Sequence, residues 1–359
     1  MNFDFSFEQK QLREQIARMF EKADSLAQVR AILDGKMRNY SETIWRDLAG
    51  LGVTAIAVPE AHSGLGLGAL ELCVAAEEIG RALAPVPFLS SIGICAEAIR
   101  LFGSEEQQAK WLPGLADGSV IGTWGIADAP QDATGFQENK LSGTKLPVLD
   151  GLIAQVMIVG VKSGERTLLY LCDLTQPGVE RQTAATVDPT RPSARIRFAG
   201  AAAERLSGDD GTAWKKISER AAVFLAFEQL GAAEAALAMA RGYALERGAF
   251  GRKIGSFQAV KHKLADMYTK VQLARCHCYY GAWAISTDAP ETPLAAAGAR
   301  CSAIDALDYA AQENIHIHGG IGVTWEANCQ FFYRRARLNA LLLGSRYEWQ
   351  DRIVASLAG

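Results

Sequence analysis

The sequence predicts a mostly α-helical chain interrupted by a middle β-domain. Three observations predict it. Apolar residues recur at helical spacing before residue 118. Between about 118 and 206 they gather into short runs separated by Gly, Pro and Asp. From Trp214 onward the helical spacing returns. The expected domains are therefore 1–118 (helical), 119–209 (β) and 210–359 (helical).

Over 8–21, Leu12, Ile16, Met19 and Phe20 share a helical face. Ser41 is a candidate N-cap for a second helix over 41–51, with Ile44 and Leu48 on one face. After Val58-Pro59-Glu60, the glycine-rich loop 62–68 opens a helix over 69–83, which Pro85 and Pro87 end. The strand candidates are the apolar runs at 156–159 and 168–171 and the alternating run at 194–198. Ser207-Gly208-Asp209-Asp210-Gly211 reads as a linker. The first long helix beyond it carries Ala221, Phe224, Leu225, Leu230, Ala233 and Leu237 and runs to about Leu245. Further helices are expected over 257–285, 294–316 and 328–343. There is no internal repeat and no low-complexity segment.

Composition narrows the class. With 359 residues, 49% hydrophobic and 21% charged, the chain can bury a large core. A net charge of -3 without a polybasic run points away from nucleic acid and anionic membranes. No apolar stretch is expected to span a bilayer. The start of the chain, with Phe3, Phe5 and Phe7 among Asp4 and Glu8, is unlike a signal peptide, so a cytoplasmic protein is expected. The seven cysteines are scattered and read as reduced thiols. Cys276-His277-Cys278 has the wrong spacing for one metal, because the two cysteines leave a helix on different faces. No metal site is expected.

The most specific segment is Arg247-Gly248-Ala249-Phe250-Gly251-Arg252-Lys253-Ile254-Gly255-Ser256-Phe257-Gln258, between two expected helices. An arginine fork at such a corner suits a pyrophosphate. On residue type alone a solvated or capping helix end is the stronger reading. Further on comes His316-Ile317-His318-Gly319-Gly320-Ile321-Gly322. Together with Pro59-Glu60 and the glycine-rich helix entry, these segments resemble the acyl-CoA dehydrogenase family, in register over nearly the whole chain. The resemblance implies an N-terminal helical domain, a β-barrel-like middle domain and a C-terminal four-helix bundle. It also implies FAD as cofactor and an acyl-CoA thioester as substrate. Arg247, Phe250 and Gln258 would reach across a subunit interface to the flavin dinucleotide. The backbone at Gly319 and Gly320, following His316, would approach the dinucleotide, since a side chain at the glycines would block that approach.

Family members remove hydrogens from Cα and Cβ of the acyl chain, with a carboxylate as base and the flavin as hydride acceptor. Most place the base in a Glu-Gly pair beyond the glycines. The matching residue here is Leu343, before Gly344. Others place it on the first helix of the last domain, where Ala221 stands. No catalytic residue is therefore assigned. Glu219 lies roughly 200° around that helix from Ala221. Glu228 returns to nearly the same face about 10 Å further along and reads first as a buried or capping acid. Glu348 reads as a solvated helix residue. The ring-side segments depart too. Ala127-Asp128-Ala129-Pro130 stands for a Thr-Glu-Pro segment. In the next one, Pro147 replaces the aromatic that covers the ring and Leu149 the hydroxyl near N5.

This pattern resembles the flavin-poor subunit of α2β2 acyl-CoA dehydrogenases of the steroid side-chain type. Asp188-Pro189-Thr190-Arg191 is similar to that group as well. The resemblance implies a second, base-bearing subunit as partner. Two other readings stay open: a homomeric dehydrogenase with a displaced base such as Glu228, and a non-catalytic thioester-binding or scaffold protein on the same fold.

Overall fold

The computed structural model describes residues 5–37 and 39–358. Phe3 and Asp4 of the N-terminal reading lie outside them. Ser6 opens α1 (Phe7–Ala23) with a capping box, its Oγ accepting from Gln9 N at 3.3 Å while the Gln9 side chain accepts from Ser6 N at 2.9 Å. Ile16 and Phe20 are buried, as their spacing predicts. α2 spans Ser25–Leu33. Ser41 caps α3 (Glu42–Gly50) through Ile44 N at 3.2 Å, and Ile44, Trp45 and Leu48 face the core. α4 (Ala69–Arg81) follows the glycine-rich loop. Beyond the prolines lie a buried π-helix (Leu89–Ala96), α5 (Glu97–Phe102) and α6 (Glu105–Ala116), the last started by a Ser104–Gln107 capping box.

Helix then gives way to strand: β1 (Gly122–Gly125), β2 (Gly135–Gln137), β3 (Lys140–Leu149), β4 (Val156–Ser163), β5 (Arg166–Asp173), β6 (Val179–Ala184), β7 (Ser193–Ala202) and β8 (Glu204–Arg205). They form two four-stranded sheets, ordered β1-β4-β5-β8 and β2-β3-β7-β6. All pairings are antiparallel except β1 with β4. β4 is buried on both faces over its first six residues, which is why it reads as a continuous apolar run. β7 alternates, with Ile196 and Phe198 inward and Arg195 and Arg197 outward.

The rest is helical: α7 (Ala213–Glu246), the short hairpin β9 (Gly248–Ala249) and β10 (Arg252–Lys253), α8 (Gln258–Ser286), α9 (Thr292–His318), α10 (Cys329–Asn339) and α11 (Arg346–Ala358). The helical, β, helical order matches the predicted fold class. One expectation is corrected. By length and composition α7 could cross a membrane, but most of its apolar window is buried inside the protein. Glu219, Glu228 and Gln229 interrupt its apolar run and are buried with it.

The chain divides into two compact units. One holds the chain up to Val29, Cys73–Ala84 and everything from Ala222. The other holds Arg30–Leu72 and Pro85–Ala221. In the first, the buried Glu77 carboxylate receives Arg13 at 2.7 Å and Arg81 and Arg275 at 3.1 Å each, tying α1 and α8 to α4. There α4 and α7 also cross backbone to backbone. A Cβ on Gly80 would lie 1.8 Å from Glu228 O, and one on Gly231 1.9 Å from Glu77 O. Neither carbonyl can yield without moving its helix. Gly231→Ala should cost about 1–3 kcal/mol in chemical denaturation. Gly242→Ala, on the same helix with open space around it, should be neutral or slightly stabilising, by up to about 1 kcal/mol. Equal stabilities for the two variants would contradict the crossing.

In the second unit, Arg191 and Asp150 form a buried ion pair at 3.2 Å, and Ser90 Oγ donates to Asp150 at 2.6 Å. Asp188 Oδ1 accepts from Thr190 N at 3.1 Å. The Asp188–Arg191 run is thus a turn locked into the β-domain by its arginine.

Candidate cofactor site

α7 ends at Glu246, and Lys253 Nζ donates to that residue's carbonyl at 2.6 Å. The chain reverses through Phe250 and Gly251, at φ 52° and 77°. Both central residues of this two-residue hairpin are left-handed, as its tight turn demands. Glycine takes that conformation freely, whereas a phenylalanine takes it at a cost. Phe250 is nevertheless 95% exposed. Its ring meets Phe257 edge-on at 6.2 Å, and the Arg252 guanidinium lies over Phe257 at 4.0 Å. Ile254 N donates to Arg247 O at 2.9 Å, closing the hairpin back onto the helix end. Arg247 and Gln258, the first residue of α8, are both exposed. The three motif residues thus share one corner with their side chains outward.

At the far end of α9, Gly319 turns the chain at φ 65° and ψ -140°. A Cβ built at Gly319 or Gly320 meets nothing within 4 Å. His316 is exposed and its Nδ1 lies 3.3 Å from Glu313 Oε1, whose carboxylate also binds Lys263. The two corners belong to one end of the bundle, because Tyr243 of α7 stacks on His318 of α9 at 4.2 Å. Neither motif gives a role to Tyr243 or His318. The signal available was spacing alone, since Tyr243 sits four residues before Arg247 and His318 abuts Gly319. Leu245, Ile321, Val323 and Trp325, near these corners in sequence, are large apolar side chains left exposed.

The positions where a base is expected carry none. Leu343 sits at φ 62° and packs on Ala222, Ala297 and Trp349. The segment before it is gripped by the fully buried Arg300, which donates to Leu342 O at 2.7 Å and to Asn339 O and Gln229 Oε1. Burial pulls this guanidinium down to about 9, with Glu228 among the groups opposing the fall. Ala221 is buried within α7. Glu228 is 2% exposed and receives Arg335 Nη1 at 3.2 Å and Asn339 Nδ2 at 3.3 Å. Glu219 is buried on α7. Glu348 is exposed on α11, as expected, and it accepts from Ser345 N at 2.6 Å while its own N–H donates to the Ser345 hydroxyl that caps the helix. That backbone bond is the main reason its carboxyl lies below the usual range.

The ring-side segments are knit to each other. Lys145 is fully buried and donates to Asp128 Oδ1 at 2.6 Å and Ile126 O at 2.9 Å. Burial lowers its ammonium and Asp128 opposes this. Pro147 is exposed, while Leu149 is 4% exposed, so no hydroxyl or aromatic is offered from either position. The donor set therefore fits the dinucleotide half of FAD and not its ring. Arg247 and Gln258 provide outward donors, and the glycines leave open space. Among the described residues no three His, Cys, Asp or Glu side chains gather into a metal site.

A helical, β, helical chain with outward donors and open glycines at one end of its last helices has the architecture of an acyl-CoA dehydrogenase. Comparison with known proteins gives the same class. Residues 6–119 match the acyl-CoA dehydrogenase N-terminal domain and residues 216–357 its C-terminal domain. Acyl-CoA dehydrogenase IpdE2 of Mycobacterium tuberculosis is 36% identical over 349 residues, covering 96% of each chain. The Tcur3481-Tcur3483 steroid acyl-CoA dehydrogenase G363A variant superposes with a TM-score of 0.89 at 30% identity, over 98% of both chains. The ChsE4-ChsE5 complex of M. tuberculosis gives 0.92 at 27% identity, covering 100% of this chain and 99% of that one. The chain belongs to the acyl-CoA dehydrogenase family. FAD is the cofactor of that family.

Proposed function

We propose that this chain is the base-less subunit of a heteromeric acyl-CoA dehydrogenase, holding the dinucleotide half of FAD for a partner subunit that supplies the ring contacts and the carboxylate. The observation that carries this reading is the contrast within one chain. The dinucleotide-side residues are preformed and turned outward, while Leu343, Ala221, Pro147 and Leu149 replace the base and ring contacts. An exposed phenylalanine held at a costly φ fits a residue made to be covered by a neighbour.

In this reading the bound flavin supplies the hydride acceptor. Arg247 donates its fork to the pyrophosphate and Gln258 donates to the same half of the cofactor. The side-chain-free Gly319–Gly320 backbone admits it, and Phe250 excludes water from its edge. The substrate is an acyl-CoA thioester. Two of the solved relatives carry two-component names, and one of these names a steroid enzyme. An α2β2 assembly acting on a bulky, steroid-derived acyl group is the reading they favour. The homomeric alternative named Glu228 as a candidate displaced base, but that carboxylate is engaged by Arg335 and Asn339. A pure scaffold would have no use for Phe250 at positive φ.

Expression alone should give a nearly colourless, inactive protein. Co-expression with the partner should give a yellow complex with about one FAD per heterodimer, as shared half-sites require. Flavin absorbance against protein concentration measures it. A yellow, active homo-oligomer with stoichiometric FAD would overturn the proposal.

A further inference from the structure

Met239, Tyr243 and Arg247 follow at four-residue intervals along α7 and just past its end, and Asn314 and His318 do the same on α9. They pair as rungs between the two helices. Asn314 Nδ2 reaches Met239 Sδ at 3.5 Å, and the Tyr243 and His318 rings stack at 4.2 Å and 22°. α9 stops at His318 and the chain continues through Gly319 and Gly320 in a short 3-10 helix (Gly319–Val323), while the third α7 position, Arg247, lies one turn beyond the last rung. The His318 ring is also held at its edge. Its Nδ1 lies 2.7 Å from Asn314 O, and a carbonyl only accepts, so Nδ1 carries the proton and donates.

We infer that the Tyr243–His318 stack is the positioning element of the dinucleotide half-site, fixing the end of α7 that carries Arg247 against the end of α9 that carries Gly319 and Gly320. The inference rests on the function proposed above. A guanidinium on an exposed helix end gains most from an anion when its helix is already held in place. The stack sits one turn before Arg247, with Arg247 N donating to Tyr243 O at 2.8 Å. It is the last rung before both helices end.

The test is FAD titration into the deflavinated complex with its co-expressed partner, followed by flavin fluorescence. Tyr243→Ala and His318→Ala should each weaken binding about three- to tenfold, the range of an aromatic pair. Tyr243→Phe keeps the ring and should restore affinity. If Tyr243 acts through Arg247, the double variant Tyr243→Ala, Arg247→Ala should bind no more weakly than Arg247→Ala alone. Additive losses would overturn the inference. So would full affinity in Tyr243→Ala beside weakened Arg247→Ala, while leaving the half-site reading intact. Unchanged affinity in Arg247→Ala would remove that reading itself. Should Tyr243→Ala fail to assemble, His318→Leu, which keeps bulk but loses the plane and the bond, takes its place with the same outcomes.

Discussion

Arg335→Ala should destabilise the protein by about 3–5 kcal/mol, the usual cost of leaving one member of a buried ion pair behind. Arg335 is 1% exposed, and its guanidinium meets Glu228 Oε1 at 3.2 Å and Leu83 O at 3.4 Å. Removing it strands a carboxylate that is 2% exposed, with Asn339 among its remaining donors. Urea denaturation of the complex measures the loss, and a change under about 1 kcal/mol would mean the pair is not buried as described. The partner substitution separates structure from chemistry. Glu228→Gln keeps the shape but strands the arginine, so stability should fall while turnover per bound flavin stays nearly unchanged. Loss of a general base typically costs about 10²–10⁴-fold in rate. A drop of that size with flavin still bound would put the base on this chain and restore the homomeric reading.

Arg247→Ala should weaken FAD binding to the complex by about ten- to hundredfold. A hydrogen bond to a charged group contributes roughly 1.5–3 kcal/mol, and each 1.4 kcal/mol is about a factor of ten. The variant should fold normally, because Arg247 is exposed and lies beyond the last residue of α7. Arg247→Lys should recover only part of the affinity, since an ammonium keeps the charge without the fork. The competing role is a helix-end cation stabilising the α7 dipole, typically worth roughly 0.3–1 kcal/mol. Lys253 already donates to Glu246 O at 2.6 Å, so the helix end has a cation of its own. On the competing account the alanine variant would lose a little thermal stability and keep its flavin. Parallel FAD titrations and melting curves distinguish the two.

That Arg247, Phe250 and Gln258 share one corner was legible because the segment is contiguous. Arg247 through Gln258 forms the short connection between two helices, so the order of residues nearly fixes their shared location. The glycine pair was legible for a related reason, since an open backbone needs glycine wherever it falls. Glu228 was harder. Its helical face could be computed from spacing, but whether that face meets a substrate or Arg335 depends on a residue more than a hundred positions away. Leu149 and Pro147 revealed what was missing from the ring side but not that Lys145 and Asp128 lock that side together.

By itself the sequence determined the helical, β, helical order and the cap at Ser41. It also determined the absence of a carboxylate at 221 and 343. These depend on local periodicity, backbone preference and residue identity, which a linear string contains. Only the tertiary structure decided that Gly80 and Gly231 let α4 and α7 touch, that Glu228 is an ion-pair partner, and that Tyr243 meets His318. Each of these joins residues far apart in the chain. Periodicity says which face of a helix turns inward, but what that face meets is set by the path of the whole backbone.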